Sequence, residues 1–204
     1  GLCVPLDGFN CHFSTILRLF CRFGGEANFQ PQSSGCDAGG DSHKGGFSVF
    51  TYRLAVESDR EIWIKLNREF MAEEIQDADL WNNTGETGDE QFGNTFKKAR
   101  ASDDMIRLML FEADSQVIGF ANLLIIFSVW SHGKALIIDD LYITKENRGK
   151  GFGRSALAYI EEYARQLGCK RLQFQSELTN PDAMEFYKAV GYTPADMKFY
   201  VKYL

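Results

Sequence analysis

The stretch "IIDDLYITKENRGKGFGRSALAYIEEYARQLGC" (Ile137–Cys169) decides how the chain is read. Its first third alternates apolar residues like a strand. Glycines then recur at Gly149, Gly151 and Gly153, with Arg148, Lys150 and Arg154 around them. From about Gly151 to Leu167 an amphipathic helix follows, with Leu157, Ile160, Ala164 and Leu167 inward at spacings of three and four. Gly168 is placed to stop it. A helix start carries free N–H groups and partial positive charge, so an anion is stabilised there without a dedicated side chain. Glycines let the backbone curl so that successive amides converge on one spot. Pyrophosphate is the natural guest of such a turn.

Two familiar phosphate loops do not fit. A Walker loop needs Lys followed by Ser or Thr, and here Gly151 follows Lys150. A dinucleotide fold needs G-x-G-x-x-G after a parallel strand, and here the spacing is G-x-G-x-G with no early βαβ unit. The pattern that fits is R-x-x-G-x-G, read as Arg148, Gly151 and Gly153.

Outward from this point the order of elements is regular. "FSVFTYRLAV" (Phe47–Val56) alternates as a first strand. "SDRE" (Ser58–Glu61) has the form of a capping box, Ser58 at the N-cap, opening a helix with Ile62, Leu66 and Phe70 inward. An acidic, turn-rich stretch (Glu73–Glu90) precedes a helix around Gln91–Ala101. "MIRLMLFE" and "VIGFANLLIIFSVW" predict antiparallel strands joined through "ADSQ", the second with room for a bulge, and "SHGK" turns into a third, Ala135–Thr144. After the glycine-led helix, "KRLQFQSE" alternates with Leu172 and Phe174 inward. "NPDAMEFYKAVGY" forms a short helix capped by Asn180, with Pro181 at its first position and Gly191 ending it, and "MKFYVKYL" closes the chain as a strand. The expected architecture is mixed α/β on one mostly antiparallel twisted sheet flanked by helices.

Residues 1–46 stand apart. They hold a short apolar segment, Phe13–Phe23, and then a Gly- and Ser-rich polar run, and they read as an irregular leader before a domain spanning 47–204. The chain has 204 residues and a net charge of −6, which argues against a nucleic-acid partner. Its longest apolar run, Val117–Trp130, is too short for a membrane span and contains Asn122. Five cysteines show no C-x-x-C spacing, so no metal site is expected. An odd thiol count without a signal peptide points to a reducing, cytoplasmic setting.

"IIDDLYITKENRGKGFGRSAL" resembles the acyl-CoA-binding motif of the GCN5-related N-acetyltransferase (GNAT) superfamily, and "NPDAMEFYKAVGY" resembles that superfamily's next motif. The resemblance covers about residues 47–204. It implies a sheet splayed between its fourth and fifth strands and acetyl-CoA as co-substrate. Amides of Arg148, Gly149, Lys150, Gly151, Phe152 and Gly153, with Arg154 nearby, would hold the pyrophosphate. Leu141, Tyr142 and Ile143 would bond the pantetheine arm, and Asn180 would meet it from the other side. The implied reaction moves acetyl to a primary amine by direct attack in a ternary complex. Asp139 would act as base through water, and Tyr187 as the acid toward the thiolate. Neighbours on a regular strand point to opposite faces, so only one of Asp139 and Asp140 is expected to meet the acceptor; Asp140 is then a substrate-binding charge. The acidic stretch (Glu73, Glu74, Asp77, Asp79, Glu86, Asp89, Glu90) and Trp81 suggest a small cationic acceptor, as in polyamine-type relatives. Aminoglycosides, amino acids and protein amines are alternative acceptors, and a non-catalytic acyl-CoA sensor is the alternative role. Relatives commonly form homodimers.

Overall fold

In a computed structural model, residues 49–74, 88–176, 181–198, 200 and 202 are described. The leader, Trp81, Asn180 and most of the acidic stretch lie outside them, as does half of the expected closing strand. Met197, Lys198, Tyr200 and Lys202 belong to no strand.

The chain runs β1 (Phe50–Leu54), α1 (Arg60–Glu74), α2 (Asp89–Ala101), β2 (Ile106–Ala113), β3 (Gln116–Ser128), β4 (Gly133–Ile143), α3 (Phe152–Gln166), β5 (Arg171–Gln173) and α4 (Pro181–Ala189). The strands form one sheet in sequential order. β1 to β4 are antiparallel neighbours, and β5 runs parallel to β4.

Both faces of the sheet are covered, which explains why β3 reads as an almost unbroken apolar run rather than a clean alternation. On one face Met109, Phe111, Ala121, Leu123, Leu136 and Ile138 pack on Ala156, Leu157, Ile160 and Ala164 of α3. On the other, Leu108, Leu110, Phe120 and Tyr142 pack on Trp63, Ile64, Leu66 and Phe70 of α1 and on Phe92 and Phe96 of α2. Successive residues of β2 thus feed opposite cores, as the pleat requires.

The start of α1 differs from the sequence expectation. Ser58 lies inside a short 3-10 turn, Glu57–Asp59, and the capping acceptor is Asp59, whose carboxylate takes the Val56 N–H at 2.7 Å. Arg53 holds that carboxylate with both terminal nitrogens and keeps it below the usual carboxylate range. A pairing across from β1, invisible to a local motif, selects the cap. α3 follows expectation: Leu157, Ile160 and Ala164 are buried, and Gly168 ends it at φ +72°.

Two features of β4 position the site. Asn122 pairs with Asp140 but Leu123 with Ile138, so Asp139 is an extra, bulged residue. The bulge flips the parity of the strand. Leu136 and Ile138 face α3 before it, and Leu141 and Ile143 face the same side after it. Pairing of β4 with β5 is confined to Ala135, Leu136 and Ile137. Among the described residues, the stretch Asp140–Ile143 is therefore laddered to β3 alone, and its other edge opens where the sheet parts.

Candidate functional site

The glycine turn sits directly beyond that open edge. Lys145–Asn147 makes a 3-10 turn, Arg148 is extended, and Gly149 and Gly151 have φ of +74° and +82°. The left-handed region costs an L side chain roughly 1–2 kcal/mol per residue, so this path calls for glycine at both places. Gly151 is the N-cap of α3 and offers no capping side chain. The first bond of the helix runs from Ser155 N–H to Gly151 O at 3.2 Å, so the amides of Phe152, Gly153 and Arg154 precede it and have no helical acceptor. Free amides of this kind can stabilise an anion.

Its cations are deployed unevenly. Lys150 is exposed and donates to Asn147 Oδ1 at 3.1 Å. Arg154 lies over the Phe186 ring at 5.5 Å and ties the start of α3 to α4. Arg148 is turned inward. Its Nε donates to Ile143 O at 2.8 Å, its Nη2 to Glu73 Oε2 at 2.7 Å, and its guanidinium covers the Tyr142 ring at 5.4 Å. Its amide donates to Lys145 O at 3.2 Å. Arg148 thus braces the turn from behind.

Glu73 is the hub of that brace. Besides Arg148 it accepts the Tyr142 hydroxyl at 2.9 Å and lies 3.5 Å from Lys145 Nζ. Burial, and then the Glu73 carboxylate, push the Tyr142 phenol well above its ordinary pKa. Of the acidic stretch, Glu73 is thus committed inside the protein, whereas Asp89 pairs with Arg68 on the surface. The Glu73 charge is met inside the protein by the Arg148 guanidinium. Glu90 is exposed.

The carboxylate pair lies at the bulge. Asp139 is exposed as a residue, yet the protein around its carboxyl desolvates it enough to raise its pKa. Asp140 is pushed up to about 6, chiefly by burial and secondly by the Asp139 charge, while a bond from Asn122 pulls the other way. The opposite-faces rule applies to a regular strand, and the bulge suspends it here. Asn122 Nδ2 donates to Asp140 Oδ2 at 2.8 Å and to Asn67 Oδ1 at 3.1 Å, while Asn122 Oδ1 accepts from Trp63 Nε1 at 3.1 Å. Asn67 Nδ2 closes the ring on Trp63 O at 2.7 Å. Trp63 and Asn67 went unnoticed in the sequence, where they pass for ordinary residues of an amphipathic helix. The signal that could have found the ring is Asn122, a polar residue inside an apolar run.

Leu141, Ile143 and Tyr187 share the core that faces α3. Tyr187 is only 5% exposed and packs edge-on to Phe174, with ring centroids 4.7 Å apart, at the place where β5 diverges from β4. Phe152 stacks on Phe50 at 4.9 Å, which anchors the first turn of α3 to the far edge of the sheet. Among the described residues no group of three or more His, Cys, Asp or Glu is arranged to hold a metal, and no helix is long and apolar enough to cross a membrane.

Known proteins resemble this chain. Residues 64–192 match the family model of the Acetyltransferase (GNAT) family. An uncharacterized N-acetyltransferase of Bacillus subtilis, YhfO, is 33% identical over 107 residues, which is 52% of this chain and 72% of that protein. The thialysine N-epsilon-acetyltransferase of Bos taurus is 32% identical over 75 residues, 37% of this chain and 44% of that protein. The chain thus spans under half the length of the bovine relative. Among solved structures, the glucosamine-6-phosphate N-acetyltransferase of Arabidopsis thaliana superposes with a TM-score of 0.58 at 21% identity, covering 76% of this chain and 98% of that one, a likeness of fold. With a family model covering the parted sheet, the glycine turn and the Tyr187 helix together, the chain belongs to the acetyltransferase (GNAT) family and is an acetyl-CoA-dependent acyltransferase.

Proposed function

We propose that this acyltransferase moves acetyl from acetyl-CoA to the primary amine of a small cationic acceptor of the polyamine type, by direct attack in a ternary complex. One observation carries the reading: two adjacent carboxylates, Asp139 and Asp140, stand at a bulge where β4 loses its second strand neighbour. The bovine relative, named for acetylating the ε-amine of thialysine, supports an amine acceptor in general.

The pyrophosphate rests on the amides of Gly149 to Gly153, with Lys150 and Arg154 at the rim, and Arg148 keeps the turn in shape. The pantetheine arm adds to the open edge at Leu141, Tyr142 and Ile143 as an extra strand would, and Asn180 meets it from the other side. An alkylammonium has no lone pair and a pKa of about 10, so it must first lose a proton. Asp139, raised by desolvation and reached by solvent, takes that proton through a water. The amine nitrogen attacks the thioester carbon, and the Leu141 or Tyr142 amide meets the developing oxyanion. The C–S bond breaks, and the Tyr187 hydroxyl supplies a proton or a hydrogen bond to the thiolate. Asp140 and Trp81 contact the rest of the acceptor. A cytoplasmic homodimer is the expected setting.

A thiol-release assay with acetyl-CoA across polyamines, diamines, lysine analogues, aminoglycosides and a protein amine tests the reading. Turnover is expected to be highest with a di- or polyamine. Preference for a neutral or anionic acceptor refutes the cationic assignment, and acyl-CoA binding without turnover on any amine identifies a sensor instead.

A further inference from the structure

We infer that Trp63, Asn122 and Asn67 form a hydrogen-bond relay of fixed direction that holds Asp140 as the receptor for positive charge on the acceptor, with Trp63 as the positioning residue that sets the direction. The inference rests on the acceptor-binding role of Asp140 proposed above.

The direction follows from donor chemistry. An indole N–H can only donate. Asn122 must therefore turn its amide oxygen to Trp63 Nε1, at 3.1 Å. Its two amide hydrogens then face Asn67 Oδ1 at 3.1 Å and Asp140 Oδ2 at 2.8 Å. Asn67 is oriented independently, because its Nδ2 meets the backbone carbonyl of Trp63 at 2.7 Å. Flipping either amide sets donor against donor or oxygen against oxygen in a site where Trp63 and Asn67 are 3% and 6% exposed. Asp140 thus meets a permanent donor on one oxygen. That contact favours the carboxylate over the acid and opposes the burial around it.

Few charges compete at this place. On β4 the neighbour is Asp139. On β3 and α1 the facing groups, Asn122, Asn67 and Trp63, are neutral. Glu73 of α1 is bound to Tyr142 and Arg148, and on α2 Asp89 turns to Arg68 and Arg100 to Glu57. An acceptor-only carboxylate beside a second carboxylate selects an ammonium over a neutral amine.

The test uses the full chain and two variants. Trp63→Phe removes the N–H and retains a ring against Phe92 and Phe96, and Asn122→Leu removes the donor to Asp140. Carboxyl 13C resonances are titrated without substrate, and acetyl-CoA affinity certifies the fold, so either folded variant decides. The Asp140 midpoint is expected to rise by about one pH unit in Trp63→Phe, and further in Asn122→Leu, as a hydrogen bond to a charge is lost. Below that midpoint the KM for a diamine rises about tenfold, with the KM for acetyl-CoA unchanged. An unmoved midpoint in a folded variant overturns the relay. A moved midpoint with an unchanged diamine KM overturns the assignment of Asp140 to the acceptor.

Discussion

Replacing Asp140 by Asn measures what it costs to hold a carboxylate beside the Trp63–Asn122–Asn67 ring. Asparagine keeps the shape and still offers an oxygen to Asn122, so the main change is the loss of titration. Burial pushes the native carboxyl up to about 6 from an ordinary value of 3.8. A group whose folded pKa is raised stabilises the fold fully below its unfolded pKa, and that contribution is lost as pH rises through the folded value. The window is therefore about pH 4 to 6, and the difference corresponds to about 3 kcal/mol. Wild type and Asp140→Asn should be nearly equal in stability at pH 4. The variant should gain with rising pH until it is up to about 3 kcal/mol more stable at pH 8, which is roughly 6–12 °C in Tm for a chain of this size. Urea unfolding followed by tryptophan fluorescence from pH 4 to 8 provides the difference curve. Asp59, whose pKa is lowered by Arg53, contributes in the opposite sense, but it is common to both proteins and cancels. A difference that does not vary with pH, or a variant less stable at pH 8, refutes the claim that burial of Asp140 is a standing cost of the site.

Three further outcomes are expected. Tyr187→Phe should lower turnover by about 10²-fold, the usual worth of a positioned acid, with acetyl-CoA binding preserved in calorimetry; undiminished turnover removes Tyr187 from the chemistry. Gly151→Ala meets no atom within 4 Å, so its effect comes from the φ of +82° and not from crowding within the protein. About 1–2 kcal/mol of strain should weaken acetyl-CoA binding roughly tenfold, and an unaltered Kd would show that the turn tolerates a side chain. Glu73→Gln leaves the Arg148 guanidinium without its carboxylate and should cost about 1–3 kcal/mol in thermal unfolding, with acetyl-CoA affinity falling alongside; no change in either measurement dissolves the brace.

Much of this protein was written locally. The R-x-x-G-x-G turn, the buried stripe of Leu157, Ile160 and Ala164, and the positive-φ stop at Gly168 all lie within a few residues of their cause, so periodicity and glycine placement are sufficient to read them. The same holds for the β2–β3–β4 meander, because short turns such as Asp114–Ser115 leave antiparallel neighbours little choice. Tertiary structure decided what depends on partners distant in sequence. The extra residue at Asp139 exists only relative to the register of β3, so no rule of strand alternation applied to "IIDD" could place the two carboxylates. Arg148 and Glu73 are 75 positions apart, and their bond joins the glycine turn to the end of α1 in one internal brace. Trp63 and Asn122, 59 apart, set the environment of Asp140 in the same way. Backbone geometry is a near-neighbour property and shows in the string, whereas the direction of a buried hydrogen bond and the pKa of a buried acid are fixed only when the sheet and α1 close over them.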